Sequence, residues 1–270
     1  MTRISLPPIG LGTGGEESLT GEAGVDIIAS GLELGYRHID TAHMYENHRT
    51  VGRGIDAASV PRDAVILADK VLPEDLAPDD VRDRIHESLE AMNVDVIDLA
   101  YVHFPSPSYD PEATLGAFQA LMNEGLISHI GVSNFSIEQT RTALDVLGED
   151  LVAIQVERHP LHQQTDLLEF AQANGLVLVG YAPLARGAVF ENDTLAAIAE
   201  KHDTSIAQVS LAWAIAADNA VAIPKTADHD HLEANLAATS LALDQADIER
   251  IEAIETETRL VDPMRYLEDD

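Results

Sequence analysis

Apolar and polar positions follow two alternating periods along most of the chain. Short apolar, β-branched runs are separated by longer stretches in which apolar residues recur at helical spacing. The pattern predicts eight strands, at 9–13, 37–40, 65–70, 97–103, 127–133, 152–157, 176–181 and 220–224. Helices are predicted between them at 25–34, 78–92, 111–123, 137–147, 165–174, 194–202 and 205–217, with a last solvent-facing helix at 244–257.

Residues with capping properties support these boundaries. Gly35, Gly125 and Gly175 follow predicted helix ends, and Ser136 precedes Gln139 at the spacing of a capping box. Strict strand–helix alternation without a linker predicts one domain over residues 1–270, an α/β fold of the (β/α)8 TIM-barrel type. The alternative is an open, doubly wound parallel sheet.

A glycine-rich segment near the start fits the pattern G-x-G-x-x-G of dinucleotide-binding Rossmann folds, with Gly10, Gly12 and Gly15 in place. Its context argues against that function. Pro7-Pro8 precede it, which is unusual for a central strand, and the carboxylates of Glu16-Glu17 would lie near a pyrophosphate. We interpret the glycines as backbone that passes close to a ligand or a neighbouring segment.

The charge balance is strongly acidic. Asp and Glu number 47 against 16 Lys and Arg, for a net charge of -31, and only Lys70, Lys201 and Lys225 are lysines. Such a charge disfavours nucleic acids and anionic membranes as partners. The acidic residues are spread over the chain, which is typical of a protein that works in molar salt, where the Debye length is ~3 Å and repulsion is screened. We therefore expect a cytoplasmic protein of a salt-accumulating halophile.

Cysteine is absent, which excludes disulfides and thiolate chemistry. The first residues have no signal-peptide pattern, and no apolar run approaches the ~18 residues of a membrane span. No coiled-coil repeat is present, and we expect a monomer.

Polar side chains end three successive predicted strands. Asp40 ends the second strand, Lys70 the third and His103 the fourth, and Tyr45 follows Asp40 by five residues. Taken alone, an aspartate before a helix is more often an N-cap, a histidine at a strand end is more often a hydrogen-bonded polar residue, and a tyrosine is more often part of the core. Lys70 is harder to explain without a functional role, because its ammonium ends an apolar strand in a chain that has only three lysines. A barrel carries its chemistry at these strand ends.

The four side chains together suit carbonyl reduction. Hydride transfer to a carbonyl develops charge on oxygen, and a tyrosine with a pKa of about 10 is a slow proton donor at neutral pH. A nearby ammonium should lower that pKa, and a carboxylate would hold the ammonium. A neutral imidazole could orient the carbonyl by a hydrogen bond.

Four segments resemble the motifs of the aldo-keto reductase family. Residues 36–47, which include Asp40-Thr41-Ala42 and Tyr45, resemble its Asp-Thr-Ala … Tyr-Gly-Asn-Glu signature. Residues 98–105 resemble its strand ending in His-Trp-Pro. Residues 131–135 and 223–226 match two further motifs, and the resemblance runs from Gly10 to Asp262-Pro263.

This resemblance implies a role for each matching residue. Tyr45 would be the general acid, tuned by Lys70 in its pair with Asp40, and His103 would orient the carbonyl. The family binds NADPH (NADP+) in an extended pose, without a metal. The implied cofactor-binding residues are Ser133, Asn134 and Gln155 at the carboxamide, Tyr181 under the nicotinamide, Leu184 and Gly187 at the pyrophosphate, and Lys225, Thr226 and Asn235 at the adenosine end.

The adenosine end departs from the family pattern. His231 stands where an arginine often grips the 2′-phosphate, and Ala234 replaces an acidic residue. Acidic residues at 228, 230 and 233 surround His231 and would repel a phosphate at low salt. Lys225 remains as a positive charge, so NADPH is favoured and NADH is left open. A zinc site from 228–231 is conceivable, but a solvated helix start is favoured because no further ligand is evident.

The substrate end departs as well. Phe104 replaces the usual tryptophan after His103, and Gly14-Gly15 stand where an aromatic residue often follows the first strand. Trp213, the only tryptophan, has the helical spacing of core packing. We therefore expect a shallow, open pocket for small aldehydes or sugar-like carbonyls. The alternatives are a non-catalytic barrel that senses nicotinamide nucleotides and an NAD-preferring alcohol oxidation at the same site.

Overall fold

Eight strands alternate with helices in the predicted order. The computed structural model describes residues 4–15, 17–107 and 109–261, so Glu16, the Asp262-Pro263 pair and residues 1–3 lie outside the described part. The strands are β1 (Leu11–Gly12), β2 (His38–Asp40), β3 (Ile66–Val71), β4 (Leu99–Val102), β5 (Ile130–Ser133), β6 (Leu151–Glu157), β7 (Val177–Tyr181) and β8 (Ala220–Ala222).

The helices are α1 (Gly21–Leu34), α2 (His48–Ala57), α3 (Pro78–Met92), α4 (Pro111–Asn123), α5 (Ile137–Leu147), α6 (Thr165–Ala173), α7 (Asp193–Lys201), α8 (Ile206–Ala214), α9 (His229–Ala237) and α10 (Gln245–Glu252). The predicted boundaries of α3, α4 and α5 are confirmed. The predicted helix at 244–257 is shorter, because Asp244 is the N-cap of α10 and the helix ends at Glu252. α2 was not among the predicted helices, and of α9 only its start at 228–231 was predicted.

The sheet is parallel throughout and closes on itself. Neighbouring strands pair in the order β1 to β8. Segments beside β1 and β8 complete the ring, since the amide of Gly10 donates to the carbonyl of Ala222 at 2.9 Å and the amide of Ala222 donates to Pro8 at 3.0 Å. The (β/α)8 barrel is therefore confirmed, and the open doubly wound sheet is wrong.

The glycines near the start serve this closure. A Cβ on Gly12 would lie 2.8 Å from the carbonyl oxygen of Ile223, and one on Gly10 would lie 2.6 Å from the ring of His38. Side chains at these positions would therefore push the first and last strands apart. The interpretation as closely approaching backbone is confirmed, and the Rossmann alternative fails because the barrel is closed.

The main core lies between the strands and the helices, and a polar layer fills part of the barrel. Leu11, Ile39 and Leu67 are fully buried on the strands, and Trp213 packs in the same core as predicted. Several buried polar side chains on the strands are His38, Asp40, Lys70, His103 and Gln155. Within the described residues, no helix is long and apolar enough to cross a membrane.

Candidate active site

The ends of β2 and β3 hold a buried ion pair. The ammonium of Lys70 donates to the Oδ1 atom of Asp40 and, at 2.8 Å, to the backbone carbonyl of Thr41. Both charged side chains are almost completely buried. A buried ammonium is stable only where such acceptors replace water, so this pairing explains why a lysine is tolerated at this position.

Tyr45 and His103 complete a group of four. Tyr45 ends a short 3-10 segment (His43–Tyr45) that follows β2. The Nζ atom of Lys70 lies 5.3 Å from the centroid of the Tyr45 ring. The ring of His103, just after β4, is 6.2 Å from the Tyr45 ring and almost perpendicular to it, at 89°. The structure thus brings together all four residues predicted for the chemistry.

The pKa of Tyr45 differs from the expectation. Burial raises the pKa of this phenol, and the opposing charge of Lys70 lowers it, but the net pKa stays above the usual 10. The predicted lowering is therefore wrong as a net effect, because the loss of water around the phenolate outweighs the ammonium. The phenol is protonated at neutral pH and can donate its proton.

His103 is held in its neutral form. Burial lowers the pKa of its imidazole well below the usual value, and the charge of Lys70 adds to this effect. The ring stacks on Phe104 with centroids 4.5 Å apart, and its backbone carbonyl accepts a hydrogen bond from Asn134 at 3.0 Å. A neutral imidazole fixed in this way can donate one hydrogen bond to a carbonyl oxygen.

A cavity of about 840 Å³ opens beside these four residues. It is lined by Asp40, Tyr45 and His103 together with five of the predicted cofactor-binding residues, which are Asn134, Gln155, Tyr181, Leu184 and Lys225. The other five do not line it. Ser133 precedes Asn134 and accepts a hydrogen bond from its side-chain amide at 3.1 Å, and the other four are Gly187, Thr226, His231 and Asn235.

Hydrogen bonds connect the cavity wall to the ion pair. The hydroxyl of Tyr181 donates to the Oδ1 atom of Asn134 at 2.7 Å, and the amide of Gln155 donates to the Oδ2 atom of Asp40 at 2.8 Å. Asn134 has a left-handed backbone with a φ of 63°, which turns the chain at the end of β5. One cavity is lined by two amides, one planar ring and the Lys225 cation, which fit the carboxamide, the ring and a phosphate of a nicotinamide dinucleotide.

The predicted adenosine end is a solvated helix start. The side chain of Asp228 caps α9 by accepting from the amide of His231 at 3.1 Å, and the amide of Asp228 donates to Thr226 at 3.0 Å. The hydrogen bond from the His231 amide holds the pKa of the Asp228 carboxyl below its usual value. His231 is exposed, whereas Asn235 is buried. The interpretation of 228–231 as a helix start is confirmed.

Two features of the site were not predicted from the sequence. Asn47 fixes the end of the Tyr45 segment by accepting from the hydroxyl of Thr41 at 2.7 Å and donating to the carbonyl of Thr13 at 3.1 Å. Gly14 faces the Tyr45 ring so closely that a Cβ would lie 2.3 Å from its carbons. Asn47 follows Tyr45 by two residues inside the signature, which is a signal that could have found it.

Comparisons with known proteins agree with this geometry. The sequence profile of the Aldo/keto reductase family matches residues 8–256. The chain is 36% identical over 264 residues to methylglyoxal reductase DkgB of Escherichia coli O157:H7, covering 96% of this chain and 97% of that protein. It is 32% identical over 257 residues to the glyoxal reductase of Bacillus subtilis (strain 168), covering 95% of this chain and 92% of that protein.

A solved structure shows the same fold. The aldose reductase from Giardia lamblia superposes with a TM-score of 0.89 at 27% identity, covering 97% of both chains. The chain belongs to the aldo/keto reductase family and is an NAD(P)H-dependent oxidoreductase.

Proposed function

We propose that the protein reduces small aldehydes and ketones to alcohols with NADPH, with Tyr45 as the general acid. The observation that carries this proposal is the buried Lys70–Asp40 pair beside the ring of Tyr45. A buried ammonium beside a phenol stabilises the phenolate that remains after proton donation. Because the ammonium of Lys70 is already in position before the reaction starts, the surrounding groups do not have to reorganise as charge develops.

Each of the remaining groups has one task in this proposal. The neutral imidazole of His103 donates a hydrogen bond to the substrate carbonyl and orients it towards the Tyr45 hydroxyl. Tyr45 then gives its proton to the carbonyl oxygen as charge develops there. The cofactor, when bound, supplies the hydride. The amide wall of Asn134 and Gln155 and the Tyr181 ring hold its nicotinamide end.

The cavity supports a small and polar substrate class. Gly14 leaves the face of Tyr45 without a side chain, and Phe104, which also lines the cavity, stacks against the ring of His103. The similar proteins in Escherichia coli and Bacillus subtilis carry the names methylglyoxal reductase and glyoxal reductase. We therefore propose α-oxoaldehydes and comparably small, sugar-like carbonyls as substrates.

The choice between NADPH and NADH rests on few side chains. Lys225 lines the cavity and supplies a positive charge for a phosphate. His231 is exposed at the start of α9, and exposed carboxylates lie at 228, 230 and 233. We propose NADPH as the preferred cofactor with retained use of NADH, including the reverse oxidation of alcohols.

The acidic surface supports a salt-rich setting. A net charge of -31 on 270 residues repels itself at low ionic strength and is screened in molar salt. We propose that the protein acts as a monomer in a cytoplasm with high salt.

Turnover by the variant Tyr45→Phe tests the mechanism. Oxidation of NADPH is followed by absorbance with methylglyoxal and glyoxal in molar salt. We expect a loss of about 10²–10⁴ in kcat, because the phenol is the proton donor. Binding of NADPH, followed by its fluorescence, should stay unchanged because the hydroxyl is not needed for it.

Two results would contradict this proposal. Unchanged turnover in Tyr45→Phe would show that another group donates the proton. Tight binding of NADPH by the unaltered protein without turnover of any small carbonyl would favour the nucleotide-sensing alternative instead.

A further inference from the structure

A second buried ion pair lies behind the catalytic group. His48, the first residue of α2, places its Nε2 atom 2.9 Å from the Oδ1 atom of Asp69 on β3. The side chain of Asp69 is 1% exposed and that of His48 is 8% exposed. The proposed reaction uses neither residue. A buried charged pair without a direct chemical role calls for a physical explanation.

The position of the pair on β3 gives that explanation. Asp69 and Lys70 are consecutive strand residues, so their side chains point to opposite faces of the sheet. Lys70 reaches into the barrel and bonds the carbonyl of Thr41, where the segment that carries Tyr45 begins. Asp69 reaches towards the helices and bonds His48, where the same segment ends. Strand β3 therefore holds both ends of this segment.

We propose that His48 is a positioning residue, and that its ion pair with Asp69 fixes the segment 41–48 so that Tyr45 stays beside Lys70 and His103. This proposal rests on the function proposed above. Asn47 adds side-chain bonds within this segment, to Thr41 and Thr13, and His43 lies 3.8 Å from Glu87 of α3. Tyr45 is three residues from His48, and small displacements of a proton donor reduce turnover strongly.

The helix geometry indicates that the pair is not incidental. A protonated histidine in the first turn of α2 is opposed by the helix dipole, whose positive end lies there. The side chain of Asn47, the N-cap residue, does not cap this helix. The carboxylate of Asp69 offsets the unfavourable effect of the dipole on the histidine charge, and the hydroxyl of Ser88 on α3 donates a hydrogen bond to that carboxylate.

The charged groups around His48 define its pH response. Asp69 faces His48 from β3, and the charge of Lys70 acts on it from the opposite face of that strand. His43 lies edge-on at 5.4 Å, and Arg84 and Glu87 of α3 are charged neighbours of His43. Burial alone would lower the pKa of His48, but Asp69 outweighs burial and raises it above the usual 6.5. The charge on His48 therefore persists to higher pH than that of an ordinary histidine, and the ion pair is lost as the pH rises through this raised pKa.

The pH dependence of kcat tests the proposal. We expect the unaltered enzyme to lose turnover towards alkaline pH with the same midpoint as the His48 ring, measured by NMR on histidine-labelled protein. In His48→Gln, kcat at pH 7 should fall about tenfold, and this alkaline decline should vanish. Asp69→Asn should have the same effect, and the double variant should lose no more than either single one.

A matched pair elsewhere in the barrel serves as the control. His202 and Asp247 are 2.6 Å apart, with Asp247 equally buried, and neither residue lines the catalytic cavity. His202→Gln should lower the melting temperature while kcat and its pH profile stay unchanged. A similar loss of kcat in His202→Gln would show that His48→Gln lowers kcat only by destabilising the fold, and would overturn the proposal.

Further outcomes separate this proposal from the proposed function. An unchanged pH profile in a folded His48→Gln variant, while Tyr45→Phe is inactive, would refute only the positioning role. Full turnover in Tyr45→Phe would refute the function itself. If His48→Gln does not fold, the unaltered enzyme provides the test. The NMR midpoint of the His48 ring is then compared with the midpoint of the alkaline decline in kcat. Midpoints more than one pH unit apart would overturn the proposal.

Discussion

The catalytic group and the predicted adenosine-binding region are built on opposite principles. At the catalytic end, Asp40, Lys70 and His103 are buried and bonded to one another or to their neighbours. At the predicted adenosine end, His231 is exposed beside exposed carboxylates at 228 and 230. Electrostatic interactions are strong where water is excluded and weak where it is not. Substitutions at the catalytic end should therefore change rates, and those at the adenosine end should change affinity modestly.

The largest effect is expected from Lys70→Met. It leaves Asp40 buried without its partner, which typically costs about 3–5 kcal/mol of folding stability. Loss of the ammonium beside Tyr45 should lower kcat by about a thousandfold. Thermal unfolding and NADPH oxidation measure the two effects. Lys201→Met is the control, because that lysine is 43% exposed and outside the cavity, and its variant should keep full turnover. An active Lys70→Met enzyme would remove the ammonium from the mechanism.

Acidification should distinguish buried from exposed histidines. Burial lowers the pKa of His38 to about 4, so the fold keeps this ring neutral while the unfolded chain takes up a proton at about 6.5. Stability is therefore lost as the pH falls from about 6.5 to 4, and this shift corresponds to about 3 kcal/mol. Urea unfolding in molar salt, where surface repulsion is screened, measures the slope. In His38→Leu the slope should shrink, and an equal slope in both proteins would contradict the assignment.

Gly14→Ala should have a smaller, purely local effect. A Cβ at this position would overlap the Tyr45 ring at 2.3 Å, so the ring must move. We expect kcat to fall by about 10- to 100-fold, with NADPH affinity unchanged. Gly116→Ala is the control, because nothing lies within 4 Å of a Cβ there and the residue is within α4. It should keep its turnover and gain about 0.5–1 kcal/mol of stability. Normal turnover in Gly14→Ala would show that the ring position is not critical.

The two regions differ in how much of each could be predicted from the sequence. The grouping of Asp40, Lys70 and His103 was predictable. Each lies at the end of a strand that the hydrophobic pattern predicts, and parallel strands of a barrel bring such ends together. The partnership of His48 with Asp69 was not, because it depends on how α2 packs against β3. The net pKa of Tyr45 was also missed, because the strength of its desolvation depends on packing that the sequence does not specify. The helix start at Asp228 was predictable because its capping interaction is local.

The smallest effect is expected at the exposed end, in His231→Arg. An arginine adds a permanent charge and a bidentate donor, but solvent and the carboxylates at 228 and 230 weaken its pairing with a 2′-phosphate. We expect NADPH to bind about three- to tenfold tighter and NADH to bind as before, with kcat unchanged. Fluorescence titration at low and molar salt measures both, and the gain should shrink in salt because exposed charges are screened. His229→Arg adds the same charge two residues away, where the present side chain meets Asp26, and should gain nothing. An equal gain for NADH would show that residue 231 lies near the pyrophosphate rather than the 2′-phosphate, and that the adenosine end has been placed wrongly along α9.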